Sequence, residues 1–120
     1  MNALRTGDLK IEIIDAGGAA PLQLMWMGRG NTRQPAAALH PFFLHVLDEA
    51  VSRQAPLELH FEQVEHINSS TLATVIQLLQ AARAKKIRTD IFYDSSLKWQ
   101  KVNFDVLRLF CDGELLHLRS

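Results

Sequence analysis

The sequence predicts an α/β domain, a mixed β-sheet of about four to five strands carrying about three helices. Three observations point there. Apolar residues recur with period two in several segments, they recur with the helical period in three others, and the two kinds alternate after an opening pair of strands. Two strand–helix–strand units imply parallel pairing, and the opening pair makes the sheet mixed. The 120 residues fit a single domain over 1–120.

Leu9, Ile11 and Ile13 alternate with Lys10 and Glu12, the pattern of a half-buried strand. Gly17-Gly18 breaks the run, and Leu22, Leu24 and Trp26 resume it against Gln23, Met25 and Met27, giving an antiparallel hairpin. The second strand is apolar on both faces. That is expected of a covered central strand, or of one offering a binding or dimer surface. Gly28 to Pro35 reads as a loop.

From Ala37 the period becomes helical, with Leu39, Phe43, Val46, Leu47, Ala50 and Val51 on one stripe. Proline is tolerated in a first turn, so Pro41 predicts a helix start close to His40. After Pro56, Leu57, Leu59 and Phe61 define a strand running on towards Val64 and Ile67. Asn68-Ser69-Ser70-Thr71 is a dense run of helix-capping residues, followed by the stripe Leu72, Val75, Ile76, Leu79 and Ala82. Ile87 to Asp94 is rich in β-branched and aromatic residues and predicts another strand. Asp94-Ser95-Ser96 caps a third helix, with the expected stripe Leu97, Val102, Val106, Leu109 and Phe110 and with Gly113 as its stop. Leu115, Leu116 and Leu118 supply a final short strand or tail.

Composition narrows the function classes. With 13 basic and 13 acidic residues the formal net charge is zero, which gives no long-range attraction to nucleic acid or anionic lipid and little repulsion against self-association. A homodimer is therefore left open. No apolar run approaches the ~18 residues of a membrane span, and the first eight residues do not read as a signal peptide. The single cysteine, Cys111, cannot form an internal disulfide and suits a reducing compartment; with no Lys or His beside it, a buried, inert thiol is expected. Cytoplasmic residence is the expectation.

No cluster carries catalytic or metal-binding spacing. His40 and His45 are five apart, off a common helical face, and no cysteine pair or acidic residue completes a site around them, His60, His66 or His117. Gly28-Arg29-Gly30-Asn31 lacks the phosphate-loop pattern, although Arg29, Asn31, Thr32 and Arg33 are candidates to touch a partner or a phosphate. The expectation is a chain with no catalytic residue, metal or cofactor.

The stretch from Leu57 to Leu72, LELHFEQVEHINSSTL, resembles the signature of STAS domains, the anti-sigma-factor antagonist family. There an apolar strand, a short polar turn and an apolar residue lead into Asp-Ser-Ser-Gly at a helix start. The order of elements is similar from about Leu9 to Phe110. The resemblance implies a STAS-like fold and a non-enzymatic signalling protein. Its expected partner is another protein, a serine kinase of the anti-sigma type, with a phosphatase to reverse the modification. Matched to the motif, Asn68 stands at the aspartate, Ser69 at the first serine, Ser70 at the phosphorylated serine and Thr71 at the glycine. Asn68, Ser69, Ser70, Thr71 and Arg29 are thus the expected partner-binding residues, with Ser70 the expected phosphosite.

The physics of that position stands beside the resemblance. A helix N-terminus offers unpaired N–H groups and partial positive charge, and a phosphoserine there adds about −1.5 to −2 charge to a neutral protein. Two other readings stand beside it. One keeps the fold as a constitutive adaptor or complex subunit without phosphorylation, favoured by the Asn68 and Thr71 departures. The other, of a different class, is a small enzyme or ligand-binding protein using the Ser70 helix edge; against it, only His66 among the histidines lies near Ser70 in sequence. Trp99, outside the expected stripe of the third helix, is a candidate partner anchor.

Overall fold

Alternating burial along the strands builds the sheet. The computed structural model describes residues 3–111 and 115–120. Its strands are β1 (Ala3–Thr6), β2 (Leu9–Asp15), β3 (Leu22–Gly30), β4 (Leu57–Ile67), β5 (Thr89–Phe92) and β6 (Leu116–Arg119). Its helices are α1 (Ala36–Arg53), α2 (Ser69–Ala84) and α3 (Lys98–Cys111). The expected mixed α/β architecture is present, with six strands in place of four or five. The additional strand is β1, too short and polar to show a period, which pairs antiparallel with β2 from Ala3↔Glu12 to Thr6↔Leu9.

The sheet order is β1-β2-β3-β4-β5-β6, the order of the chain itself. β2 and β3 form the expected antiparallel pair, and β3 to β6 run parallel. All three crossovers step the same way across the sheet, so their right-handedness puts α1, α2 and α3 on one face. Leu9, Ile11, Leu22, Leu24, Trp26, Leu57, Leu59, Phe61 and Ile91 point to that face and are at most 3% exposed. Phe42, Phe43, Val46 and Leu47 of α1, Val75, Leu78 and Leu79 of α2, and Phe104 and Leu107 of α3 close over them. The opposite face, with Met25, Met27, His60 and Phe92 near its centre, is half-buried by its own side chains and carries no helix. Thus β3 is covered on one face only.

Four expectations need correction. β3 runs through Gly28-Arg29-Gly30, so the loop begins at Asn31; these residues pair with β4 as Gly28↔Val64, Arg29↔His66 and Gly30↔Ile67. α1 starts at Ala36, placing Pro41 inside the helix on its exposed side, where water can reach the Ala37 carbonyl that loses its i+4 N–H donor. Phe42 joins the buried stripe of α1 while Val51 is half-exposed. β5 is shorter than expected because Ile87 belongs to the end of α2: its N–H donates to Ala82 O, with Lys86 in the left-handed conformation, as in a Schellman motif.

α3 shows the largest difference. Among its described side chains the buried ones are Gln100, Phe104 and Leu107, whereas the expected Leu97, Val102 and Val106 are 38%, 56% and 47% exposed. Gln100 sets the phase. Its side-chain amide donates to Phe61 O and Val64 O at 2.8 and 3.0 Å, and its oxygen accepts from Asp94 N at 2.8 Å. Those two carbonyls flank the stretch where β4 slips register against β3. A polar residue is therefore drawn into the core to satisfy an irregular strand. Gly113, and the side chains of Leu109, Phe110 and Cys111, lie outside the described residues.

Candidate functional site

The site forms where β3 and β4 end and α2 begins. Asn68 is the N-cap of α2, extended at φ −78° and ψ 169°, and its Oδ1 accepts from Thr71 N at 2.8 Å. Its own N–H donates to Gly30 O at 2.7 Å, and its side-chain Nδ2 donates to Thr32 O at 3.0 Å. Asn68 thus joins the helix start to the end of β3 and to the loop after it. An aspartate could keep the bond to Thr71 but could not donate to Thr32.

The expected site residues separate into two kinds. Ser69 and Ser70 are exposed, and Ser70 O accepts from Thr74 Oγ1 at 3.0 Å. Thr71 is fully buried, with no hydrogen-bond partner for its Oγ1. It packs on Gly30, where an added Cβ would come within 3.0 Å of Thr71 Cγ2. Thr71 is therefore part of the packing beneath the site rather than a contact residue. With the N–H of Thr71 engaged by Asn68, Ser69 and Ser70 carry the remaining N–H groups of the first turn, where the helix dipole favours an anion.

Arg29 is exposed on the neighbouring strand end, opposite His66 in register. A second layer supports it. Arg29 N donates to Asp8 O at 3.0 Å, and Asn31 Nδ2 donates to Asp8 Oδ2 at 3.0 Å, so the β1–β2 turn braces the loop after β3. Gly28 permits the approach: its φ is +91°, and a Cβ there would lie 2.1 Å from Asp8 O.

His66 is exposed, and its ring centroid lies 6.4 Å from that of Trp99. Trp99 is partly buried and packs towards Phe104 at 6.5 Å rather than standing free in solvent. No hydrogen bond joins His66 to Ser70. The structure thus brings Asn68, Ser69, Ser70, Arg29 and His66 to one edge of the molecule and withdraws Thr71 from it.

Two of the other histidines have local partners that the structure makes plain. His40 Nε2 lies 2.7 Å from Gln77 Oε1, and His60 stacks on Phe92 with centroids 4.4 Å apart while contacting Glu58 and Glu62. Among the described residues no group of three His, Cys, Asp or Glu is arranged to hold a metal, and no helix is long and apolar enough to cross a membrane.

Sequence reasoning missed the contributions of Asp8, Gly30 and Thr32. Only Gly30 left a signal, since a glycine at a strand end marks a close approach of other atoms. No protein-family model matches the chain, and no curated protein matches it.

Proposed function

We propose that this chain is a non-enzymatic, STAS-like regulatory module that binds a partner protein through the edge formed by the start of α2 and the end of β3. Ser70 is its phosphorylation switch, written and erased by a partner serine kinase and a phosphatase, and the module works in the cytoplasm. The observation that carries this reading is the split at the motif: Ser69 and Ser70 are exposed on the first turn of α2, while Asn68 and Thr71 hold that turn in place.

The switch follows from electrostatics. A phosphate on Ser70 meets the partial positive charge of the helix start and strengthens the folded turn. The same dianion must be desolvated when a partner docks, so a surface that accepts the neutral serine rejects the phosphorylated one. Arg29 supplies a cation on the same edge for the partner or for the phosphate.

A second reading, a constitutive adaptor, draws support from the burial of Thr71 and the hydrogen bonds that tie Asn68 to Gly30, Thr32 and Thr71, which make the edge a fixed surface. The deciding experiment recovers tagged protein from its native cells and measures phosphate and co-purifying proteins by mass spectrometry. Ser70→Asp and Ser70→Ala variants are then compared for partner binding. The switch predicts phosphate on Ser70 and at least a tenfold loss of affinity for Ser70→Asp, about 1.4 kcal/mol. An unmodified protein whose partner binds wild type, Ser70→Ala and Ser70→Asp alike establishes the adaptor.

A further inference from the structure

Parallel strands are ordinarily buried on both faces. Here β3 to β6 run parallel, and among the described residues all three helices lie on one face of them. The bare face has an apolar centre in Met25 and Met27 of β3, with Phe92 two strands away and Ile14 of β2 48% exposed. We propose that this face is a dimer interface, on which a second copy of the chain packs sheet against sheet about a two-fold axis running along β3.

The register lays the face out in rows. Glu12, Met25, His60 and Phe92 stand side by side across β2 to β5. In the next row Arg5, Lys10 and Met27 lead to Gln63. Glu62, in the stretch where β4 slips against β3, also keeps to this face, its carboxylate 3.5 Å from His60 Nδ1.

Charge divides at β3. The strand on one side presents Lys10, which engages Glu12 at 2.7 Å, and Arg5 stands beyond it on β1. The strand on the other side presents two carboxylates, Glu58 and Glu62, which lean on the His60 ring at 3.1 and 3.5 Å. Asp90 follows on β5, within 3.9 Å of Arg88 and 4.0 Å of Arg119.

That division is what a self-complementary contact requires. In a two-fold interface residue i meets j of the partner and j meets i. An axis along β3 lays β2 of each copy over β4 of the other, so Lys10 meets the partner's Glu62, twice by symmetry. Met25 and Met27 meet their own copies at the centre, where flexible thioethers fill an irregular gap well. Stacked sheets pack about 10 Å apart with their strands within about 30° of one another, and an axis parallel to the strands gives that alignment. The product is a four-layer α/β/β/α body in which β3 is covered on both faces. A zero net charge opposes it little. The proposal does not rest on the reading of Ser70.

The test is sedimentation velocity of the intact protein from micromolar to near-millimolar concentration, where a concentration-dependent dimer is expected. Lys10→Glu and Glu62→Lys, each confirmed folded by circular dichroism, should weaken it at least about tenfold, because symmetry puts the reversed charge at both contacts. An equimolar mixture of the two variants should recover the wild-type affinity, since each reversed charge then meets its opposite. In ¹⁵N NMR of the wild type, dilution should shift the amides of Lys10, Met25 and Met27. A protein that stays monomeric throughout overturns the proposal. So does a dimer that either charge reversal leaves unchanged, a mixture of variants that does not reassociate, or dilution shifts confined to other surfaces.

Discussion

Gly30 and Thr71 occupy space that only one of them can extend into. An alanine at Gly30 would drive its Cβ against three atoms of Thr71 at 3.0–3.3 Å. Such overpacking is expected to cost about 1–3 kcal/mol. Thr71→Gly, which restores the residue of the resembling motif, is also expected to destabilise, through a lost buried side chain and the poor helix propensity of glycine. The two costs should not add. With Thr71 truncated the new methyl has room, so urea denaturation of the double variant should give a loss smaller than the sum by about 1 kcal/mol or more. Additive losses would mean that the contact between β3 and α2 is not what holds the site together. The same pair explains why Thr71 is misread from sequence: among serines it looks like one more exposed hydroxyl, and only the strand beside it makes its methyl the relevant group.

The phase of α3 decides which of its apolar residues stabilise the protein. Phe104→Ala should cost about 3–5 kcal/mol, as for a large buried aromatic, while Val106→Ala should change stability by less than about 0.5 kcal/mol. Equal losses at the two positions, measured by chemical denaturation, would restore the stripe expected from sequence. Most elements were legible because burial on one face writes a clear period. Leu57, Leu59 and Phe61 announced β4, and Asn68 announced the start of α2. The failures have separate physical causes. β1 buries too little to leave a pattern, Pro41 is accommodated because its side of α1 meets solvent, and Gln100 lies in the core because β4 carries a slipped register. At the candidate site the capping residues were legible, whereas the long-range bonds to Thr32, Gly30 and Asp8 were not, since they depend on pairings far apart in the chain.

Across the whole molecule, acid should act through a few surface aspartates. Arg53 grips both oxygens of Asp15 at 2.6–2.7 Å and holds its carboxyl below the ordinary range. Bonds from the Ser96 hydroxyl and N–H do the same for Asp94, and Lys101 does so for Asp105. A carboxyl with a lowered folded-state pKa contributes its stabilisation in full above the unfolded value, near ~3.9, and loses it as the pH falls through the folded value. Stability from these groups should therefore be level through the neutral range and fall only below about pH 4, less steeply in high salt because all three are at the surface. An Arg53→Gln variant should raise the titration midpoint of the Asp15 carboxyl in an NMR pH series, towards the ordinary range but still below it because the Gly17 N–H bond remains; an unchanged midpoint would remove Arg53 as the main cause. The order of the strands has one more consequence. Because the sheet repeats the order of the chain, each strand leaving the ribosome meets a neighbour that is already complete, and no later segment must be inserted between earlier ones. The molecule can be assembled outward from its first hairpin, with every partial chain ending in a usable template for the next strand.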